Sequence, residues 1–441
     1  MALVTLTEHF MRRSITIGLC VAIVLGAVAL GQKDSTPKAE PASKELSKAP
    51  KFWKGNLHTH TLWSDGDDYP EMVADWYKSH GYDFLSLTDH NVLSDAERWV
   101  DVTPKVEKGL QKYVNRFGSE WVERRDEKEK KQVRLKPLRE FRSFLEEPGK
   151  FLMIPGEEIS SSYAKLPVHM NGINLRDVIP AAKGNNVAET IDVNVRGVSA
   201  QRKKTGWKML AILNHPNFGW GVRAEDMLMS EELKFFEIFN GHPGVRNYGD
   251  PTHASCERIW DIVLTLRLAK YKLPIIHGVA TDDAHGYHEF GVGKVNPGRG
   301  WVMVRSQHLS AESIVRGMEA GDFYASSGVT LDDFGRKDNE LSIKIRAEAG
   351  VTYKTQFVAT MRDVSLDSKP HLDKDGKELE VTRLYSDEVG KVVSEVEGLN
   401  PKFTFTGKEL YVRANVVSSK PHPNPYQKGD VECAWTQPTV P

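Results

Sequence analysis

Two patterns of apolar and polar residues divide this chain. From residue 52 to about residue 335, short apolar runs alternate with amphipathic segments, which is typical of a sheet built from βα units. From residue 336 to residue 441, apolar and polar residues alternate with a period of two, which predicts a small antiparallel β domain. Strands are predicted at 52–57, 83–88, 207–213, 234–239 and 275–280 in the first part, and at 341–346, 354–359 and 409–415 in the second.

Helices, an insertion and a loop are predicted between the strands of the first part. Residues 70–80 and 254–271 have apolar side chains at helical spacing. A charged insertion at about 104–150, with helical character over 105–145, is either a solvated excursion over the rim of the domain or a lid that selects substrates. The polar stretch 185–202 is predicted to be a loop.

Residues of the types that bind metal ions lie at the ends of the predicted strands. His58 and His60 follow the first strand, and side chains at i and i+2 of a strand face the same side. Imidazole nitrogens and carboxylate oxygens are ligands that Zn, Mn and Fe prefer. Such residues converge when they follow successive strands of a (β/α) barrel, at the mouth where barrel enzymes have their active sites. The motifs are His58-Thr-His60, Ser64-Asp65-Gly66, Thr88-Asp89-His90, Gly156-Glu157-Glu158, Asn214-His215-Pro216 and Asp283-Ala-His285.

This succession of motifs resembles the PHP family, named for polymerase and histidinol phosphatase domains. The resemblance covers roughly residues 52–330. It implies an α/β fold in which a distorted (β/α)7 barrel is followed here by a small C-terminal antiparallel β-sandwich-like domain. It also implies two or three divalent metal ions (Zn, Mn or Fe) and the hydrolysis of phosphoesters.

The resemblance further implies how the ligands divide among three ions. Glu158 would bridge the first and second ions. The implied ligands are His58, His60, Glu158 and Asp283 for the first ion, Glu158, His169 and His215 for the second, and Asp65, His90 and His285 for the third.

Three of these ligand assignments have alternatives. Glu157 and Glu158 are adjacent and would face opposite ways on a strand, and the family pattern of Gly, any residue, Glu favours Glu158. The Asp-x-His spacing favours Asp283 over Asp282. His169 is either a metal ligand or a histidine that is hydrogen-bonded within a strand.

Two further residues are candidates for catalysis. No Ser–His–Asp triad or Walker loop is apparent in the sequence. Arg299 lies between two glycines, and its guanidinium is predicted to bind phosphate oxygens, with a surface ion pair as the alternative. His242 follows the predicted strand 234–239 and is predicted to donate to phosphate or to act as the leaving-group acid.

The N-terminal segment predicts export. Arg12 and Arg13 precede an uncharged apolar stretch, and small residues follow, so residues 1–31 resemble a cleavable signal peptide and residues 32–51 a flexible linker. The expected location is periplasmic or extracellular. The alternative is an uncleaved membrane anchor at residues 15–30, which are fewer than the roughly 20 residues that a spanning helix needs.

Composition limits the partners, and three functional classes stay open. The formal net charge is −1, without the basic surplus of a nucleic-acid-binding protein, so no nucleic-acid partner is expected. The resemblance implies a small-molecule phosphoester as the partner. An exported metal-dependent phosphoesterase is the leading hypothesis. The alternatives are an amidohydrolase-type metal hydrolase, which also begins with His-x-His, and a non-catalytic binding module on an inherited barrel.

Overall fold

The computed structural model describes residues 49–441. The predicted signal peptide and most of the predicted linker lie outside the described residues. Within residues 49–441, no helix is both long enough and apolar enough to cross a membrane.

The described residues form α-helices and β-strands that alternate in the first part and are mainly strands in the second. The helices are α1 Pro70–Ser79, α2 Pro104–Phe117, α3 Leu138–Leu145, α4 Val187–Thr205, α5 Cys256–Thr265 and α6 Ala311–Glu319, with 3-10 turns at Phe218–Trp220 and Ala224–Met227 and a π-helical turn at Leu266–Tyr271. The strands are β1 Lys51–Asn56, β2 Phe84–Leu87, β3 Arg98–Asp101, β4 Arg124–Glu127, β5 Lys130–Leu135, β6 Leu152–Tyr163, β7 Leu166–Ile173, β8 Leu210–Leu213, β9 Phe235–Asn240, β10 His277–Thr281, β11 Trp301–Ser306, β12 Phe323–Ser326, β13 Leu331–Lys337, β14 Glu340–Ile345, β15 Tyr353–Met361, β16 Ser368–Lys369, β17 Leu384–Tyr385, β18 Lys391–Glu397, β19 Lys402–Thr404, β20 Glu409–Pro421 and β21 Val431–Thr436.

A large sheet of 13 strands organises the described residues, in the order β10-β9-β8-β7-β6-β2-β1-β11-β12-β21-β20-β15-β18. Strands β1, β2, β6, β8, β9 and β10 run parallel, and β7 is antiparallel between β6 and β8. Every residue of β2, β9 and β10 is buried, as expected for parallel strands covered on both faces. The parallel arrangement places the carboxyl ends of these six strands at one edge.

The C-terminal strands continue the same sheet. Strand β21 pairs with β12 and also with β20. Strand β20 pairs in turn with β15, and β15 pairs with β18. A second sheet, β13-β14-β19, lies apart, and apolar side chains of β14 share a core with those of β15 and β20. The mixed α/β fold with a parallel-rich sheet is therefore confirmed, whereas a closed barrel and a sandwich-like C-terminal domain stay predictions.

The charged insertion differs from the helical expectation. Three strands of this region form a sheet in the order β3-β5-β4. In the chain, helix α2 lies between β3 and β4, and helix α3 follows β5. Lys128 and Glu129 have φ angles of 51° and 63° and form the two-residue turn between β4 and β5. Val133 and Leu135 of β5 are buried at alternate positions, so their period-two burial prevails over the helix-forming charged residues around them.

The polar stretch predicted as a loop is helix α4 instead. Asn186 caps this helix, because its side chain accepts a hydrogen bond from the Glu189 backbone N–H at 2.8 Å. Val187, Ile191 and Val195 recur every four residues and are buried. A narrow apolar stripe thus suffices to dock the helix, although polar residues dominate its sequence.

Glu71 links α1 to the insertion and makes stability depend on pH. Its Oε1 accepts hydrogen bonds from Tyr113 Oη at 2.6 Å and from Trp121 Nε1 at 3.1 Å, while Oε2 has no partner among residues 49–441. Burial raises the pKa of Glu71 from 4.5 to about 7, against the opposing effect of these hydrogen bonds. The folded protein therefore retains a proton that the unfolded chain releases, so the contribution of Glu71 to stability is present below pH 4.5 and is lost as the pH rises to about 7.

Glu71→Gln should remove this dependence, because glutamine has a similar size and does not ionise. At about 1.4 kcal/mol per pKa unit, the variant should gain roughly 3 kcal/mol in unfolding free energy relative to the parent between pH 4.5 and pH 8. Urea unfolding at both pH values measures the difference. Parallel pH profiles of the two proteins would contradict the assignment.

Candidate metal centre

Backbone hydrogen bonds join the segments that follow β1 and β10. The His60 N–H donates to the Ala284 carbonyl at 2.9 Å, and the Asp283 N–H donates to the His58 carbonyl at 2.9 Å. A short parallel bridge between Thr59 and Ala284 completes this junction. The junction places the His-x-His and Asp-x-His motifs side by side.

Three atoms that could bind a metal ion, two imidazole nitrogens and one carboxylate oxygen, lie close together at this junction. His58 Nε2 and His60 Nε2 are 3.2 Å apart, and each is 3.2 Å from Asp283 Oδ1. His58 Nδ1 lies 2.7 Å from a carboxylate oxygen of Glu237, so in the neutral imidazole the proton is on Nδ1 and Nε2 has a lone pair. Converging lone pairs repel each other unless a cation lies among them, so the donor set fits a divalent metal ion.

Glu158 is the carboxylate at the centre of the histidine group. Its Oε1 is 3.1 Å from His169 Nδ1 and 3.2 Å from His215 Nε2, and its Oε2 is 2.7 Å from His90 Nδ1. Oε2 is buried. Burial by itself would raise the pKa of Glu158, but the imidazoles around it hold that pKa well below 4.5.

Asp65 brings the outer residues of the site together. Its carboxylate oxygens lie 3.3 Å from His285 Nε2, 3.5 Å from His60 Nδ1 and 3.6 Å from His90 Nε2. The Asp65 side chain is 54% exposed, so this side of the site opens to solvent. His285 Nδ1 lies 2.9 Å from the Asp283 backbone carbonyl, which accepts its proton and leaves Nε2 as the ligand atom.

The structure brings all nine sequence-predicted ligands into one connected group, but it divides them differently from the resemblance. His215 lies with His58 and Asp283, and His169 lies with His90 and Glu158. The groups whose ligand atoms lie within 4.8 Å of one another are His60, Asp65, His90 and His285; His58, His60 and Glu158; His58, His215 and Asp283; and His90, Glu158 and His169. Imidazole and carboxylate groups suit several divalent metal ions, and these candidate sites contain both.

The neighbouring carboxylates have structural partners instead. Glu157 faces away from the imidazoles, and its Oε1 accepts the Ile179 backbone N–H at 2.5 Å. Asp282 accepts the Tyr77 hydroxyl at 2.9 Å and the N–H groups of residues 298–300. The geometry therefore places Glu158 and Asp283, rather than their neighbours, among the candidate ligands.

Sequence reasoning missed Glu237, which orients two of the candidate ligands. This fully buried residue of β9 accepts from His58 Nδ1 at 2.7 Å and from the His215 backbone N–H at 2.8 Å. Carboxylates that hydrogen-bond the outer nitrogen of a metal-binding histidine fix its tautomer and its ring orientation. A lone acidic residue within the apolar run Phe235-Phe-Glu-Ile-Phe239 was the signal that could have revealed it.

Asp89 is a second carboxylate whose role the sequence did not reveal. Its oxygens accept hydrogen bonds from the Thr61 backbone N–H at 2.8 Å and from the Ser64 hydroxyl at 2.6 Å. These bonds fix the loop between His60 and Asp65. The motif Thr88-Asp89-His90 thus combines one candidate ligand with one loop anchor.

Arg299 corrects the phosphate-binding expectation. The side chain is fully buried, and all five N–H donors of its guanidinium point to protein oxygens. The acceptors are the carbonyl oxygens of Gly241, Gly291, Lys294 and Asn424 and the side-chain oxygen of Asn424. With no free donor for a phosphate, Arg299 ties together the loop after β9, the loop at 291–294 and the C-terminal region.

His242 lies beside the candidate ligands. Its ring is 5.4 Å from that of His285 and 6.0 Å from that of Phe218, measured between centroids. The Gly244 backbone N–H donates to His242 Nδ1 at 3.0 Å, so the proton of the neutral ring is on Nε2. Burial lowers the pKa of His242 below 6.5, which favours this neutral form.

Two of the candidate ligands lie on unusual backbone. Asp283 has a φ of 48° and His215 a φ of 24°, although neither is glycine. Positive φ angles in non-glycine residues cost energy and cluster at functional sites, where the surrounding structure enforces them. The strained backbone is therefore a further sign that these two side chains have a function.

Comparisons with known proteins give distant structural neighbours. No protein-family model and no curated protein sequence matches the chain. The chain is similar to a crystal structure of a two-domain protein from Bacteroides vulgatus, described as containing a predicted PHP-like metal-dependent phosphoesterase, at 13% identity over 91% of this chain and 100% of that one, with a TM-score of 0.37.

Two further solved structures are similar over about half of this chain. One, from Bifidobacterium adolescentis, is described as a metal-dependent phosphoesterase and has 12% identity over 55% of this chain and 89% of that one, with a TM-score of 0.27. The other is an amidohydrolase from Chromobacterium violaceum, with 15% identity over 53% and 87% and a TM-score of 0.25. Two of the three neighbours are thus described as the kind of protein that the motifs resemble.

Proposed function

We propose that this protein is a metal-dependent hydrolase of phosphoesters that uses two or three divalent ions. The observation that carries the proposal is the buried carboxylate of Glu158, which lies within 3.5 Å of nitrogen atoms of five histidines. The five are His58, His60, His90, His169 and His215. The choice of a phosphoester over other substrates rests on the resemblance of the motifs to the PHP family.

The ligand set suits this chemistry. Bound divalent ions lower the pKa of water to near neutrality and neutralise phosphoryl oxygens. Glu158 is shared by the groups on either side of it, so it would hold two ions next to each other. Asp65 and His285 form the exposed side of the site, where a substrate can enter.

Other side chains of the site fix the positions of protons. Glu237 accepts a hydrogen bond from His58 Nδ1, and the Asp283 backbone carbonyl accepts one from His285 Nδ1. Both Nε2 atoms therefore stay free to bind a metal ion. Neutral His242 has its proton on Nε2 and can donate a hydrogen bond from there to an oxygen of the substrate. We therefore retain His242 as a candidate hydrogen-bond donor to the phosphoryl group, since the neutral ring has no second proton to give to a leaving group.

Metal loading and a substrate panel test the proposal. Purified protein should hold about two or three Zn, Mn or Fe ions by elemental analysis and should hydrolyse phosphomonoesters or phosphodiesters. Chelation should abolish the activity, and added metal should restore it. Activity that survives complete metal removal would contradict the proposal. Turnover of amides alone would favour the amidohydrolase alternative, and bound metal without any hydrolysis would favour a binding module.

We also propose that the protein is exported and that its partner is a small-molecule phosphoester. The pattern of residues 1–31 supports a cleaved signal peptide and a periplasmic or extracellular protein that meets a small-molecule phosphoester there. N-terminal sequencing of protein from its native host tests this directly. A mature chain that still begins at residue 1 would contradict cleavage.

A further inference from the structure

Six aromatic rings form a closed circuit around the candidate metal centre, which we call the rim. Its members in order are His60, His90, His169, Phe218, His242 and His285, and the centroids of successive rings are 4.6, 5.7, 6.4, 6.0, 5.4 and 4.1 Å apart. His60 is buried, and the other five are partly exposed. Phe218 is the one apolar side chain of this circuit.

The position of Phe218 is not explained by core packing. None of the hydrophobic clusters among residues 49–441 includes Phe218. Its aromatic neighbours are three imidazoles, those of His169, His215 and His242, at 5.1–6.4 Å between centroids. A partly exposed phenyl ring among metal-type side chains contributes little to the core, so its exposed face is available to a molecule that enters the site.

The turn that carries Phe218 is held in place on both sides. Gly219 and Trp220 have φ angles of 58° and 55°, and a Cβ atom at Gly221 would lie 2.2 Å from the Pro167 carbonyl oxygen. The turn therefore packs directly against β7, two residues before His169. Trp220 stacks on His253 with centroids 3.8 Å apart.

A side-chain amide also fixes the turn. Asn217 Nδ2 donates to the backbone carbonyls of Arg246, at 3.2 Å, and Ala254, at 2.9 Å. These contacts hold the turn that contains Phe218 in one conformation. A preformed apolar surface binds a ligand without the entropic cost of ordering the loop.

The rim includes two residues that are not candidate metal ligands. Asp65 contacts the imidazoles of His60, His90 and His285 on one side, and Lys105 Nζ donates to the Asp65 backbone carbonyl at 2.5 Å. Phe218 and His242 are the two members of the rim outside the candidate ligand groups. A substrate whose phosphoryl group lies over the metal centre would extend its apolar portion towards these two rings.

We propose that Phe218 is a specificity-determining residue that contacts a planar aromatic group attached to the phosphoryl group of the substrate. This inference rests on the proposed phosphoester function and names the class of leaving group. Aromatic pairs gain energy beyond simple burial of area, in offset or edge-to-face geometry at centroid distances of about 4.5–7 Å. His242, next to Phe218 on the rim, would then face the oxygen that joins the aromatic group to phosphorus.

Binding of two non-hydrolysable probes tests the inference without requiring turnover. The metal-loaded full chain should bind phenylphosphonate roughly five- to tenfold more tightly than methylphosphonate in calorimetric titration. Phe218→Leu should bring the ratio of the two dissociation constants close to one, and Phe218→Tyr should preserve it because the ring is kept. Phe144→Leu is the matched control, since Phe144 is a 63% exposed phenylalanine on α3.

The outcomes separate this inference from the proposed function. Equal binding of both phosphonates by the parent would overturn the role of Phe218 and leave the phosphoesterase proposal standing. A preference for phenylphosphonate that survives in a metal-loaded Phe218→Leu variant would also overturn it. Binding of neither phosphonate to metal-loaded parent would count against the proposed function itself and would remove the inference with it. Because the first comparison uses the parent, it does not depend on the folding of a variant.

Discussion

Glu158→Gln is expected to lower metal content and phosphoesterase activity together, with kcat/KM falling by at least about 100-fold. Substitutions of residues that merely support metal ligands already cost about 10- to 100-fold. The side chain keeps its size, but the charge that the surrounding histidines and bound cations share is removed. Elemental analysis and steady-state kinetics on the same sample measure both effects, and excess metal should restore activity only in part.

Glu157→Gln is the matched control for this experiment. Glu157 directly precedes Glu158 in β6, but its side chain faces Ile179 rather than the imidazoles. Burial raises its pKa to about 7, so an uncharged amide is a close substitute for its protonated form. Metal content and turnover should stay near those of the parent. Equal losses in the two variants would show that the effect comes from disturbing β6 and not from a lost ligand.

Arg299→Met is expected to destabilise the fold by more than about 3 kcal/mol while leaving the metal ligands unchanged. Each carbonyl that loses its charged donor and stays buried costs about 1–3 kcal/mol. The carbonyls concerned belong to Gly241, Gly291, Lys294 and Asn424. Urea unfolding at matched metal saturation measures the loss.

The kinetic result separates a structural role of Arg299 from phosphate binding. If Arg299 only fixes loops, the KM of the folded variant should rise no more for a doubly charged phosphomonoester than for a phosphodiester. A selective loss for the monoester at unchanged stability would return the residue to phosphate recognition. This outcome would contradict the hydrogen bonds described for its guanidinium.

The convergence of the strand-end candidate ligands could be predicted because their signal is local. An apolar run followed at once by His or Asp indicates both the strand and the side chain at its carboxyl end, as at His58 and His90. The alternation of side chains along a strand also explains why only one of Glu157 and Glu158 reaches the imidazoles. These inferences need the residue types and one periodicity, and both are present in the sequence.

The residues that were misjudged depend on contacts that are distant in the sequence. Arg299 has its acceptors up to 125 residues away, so its position between two glycines does not reveal whether its donors are free. Glu237 is defined by His58, which is 179 residues distant. Phe218 cannot be distinguished from a core phenylalanine until the imidazoles around it are located. The local sequence indicates the strand that holds Glu237, but the partners of all three residues are set by the tertiary fold.

The pairing of β12 with β21 limits how the chain can be divided. A fragment ending at residue 335, where the sequence pattern changes, would lose β20 and β21 and leave the four buried residues of β12 as an open edge. Unpaired N–H and C=O groups on such an edge promote pairing with other chains. Strand β21 therefore covers this edge of β12, and a fragment that lacks it is expected to associate with other chains through the exposed strand.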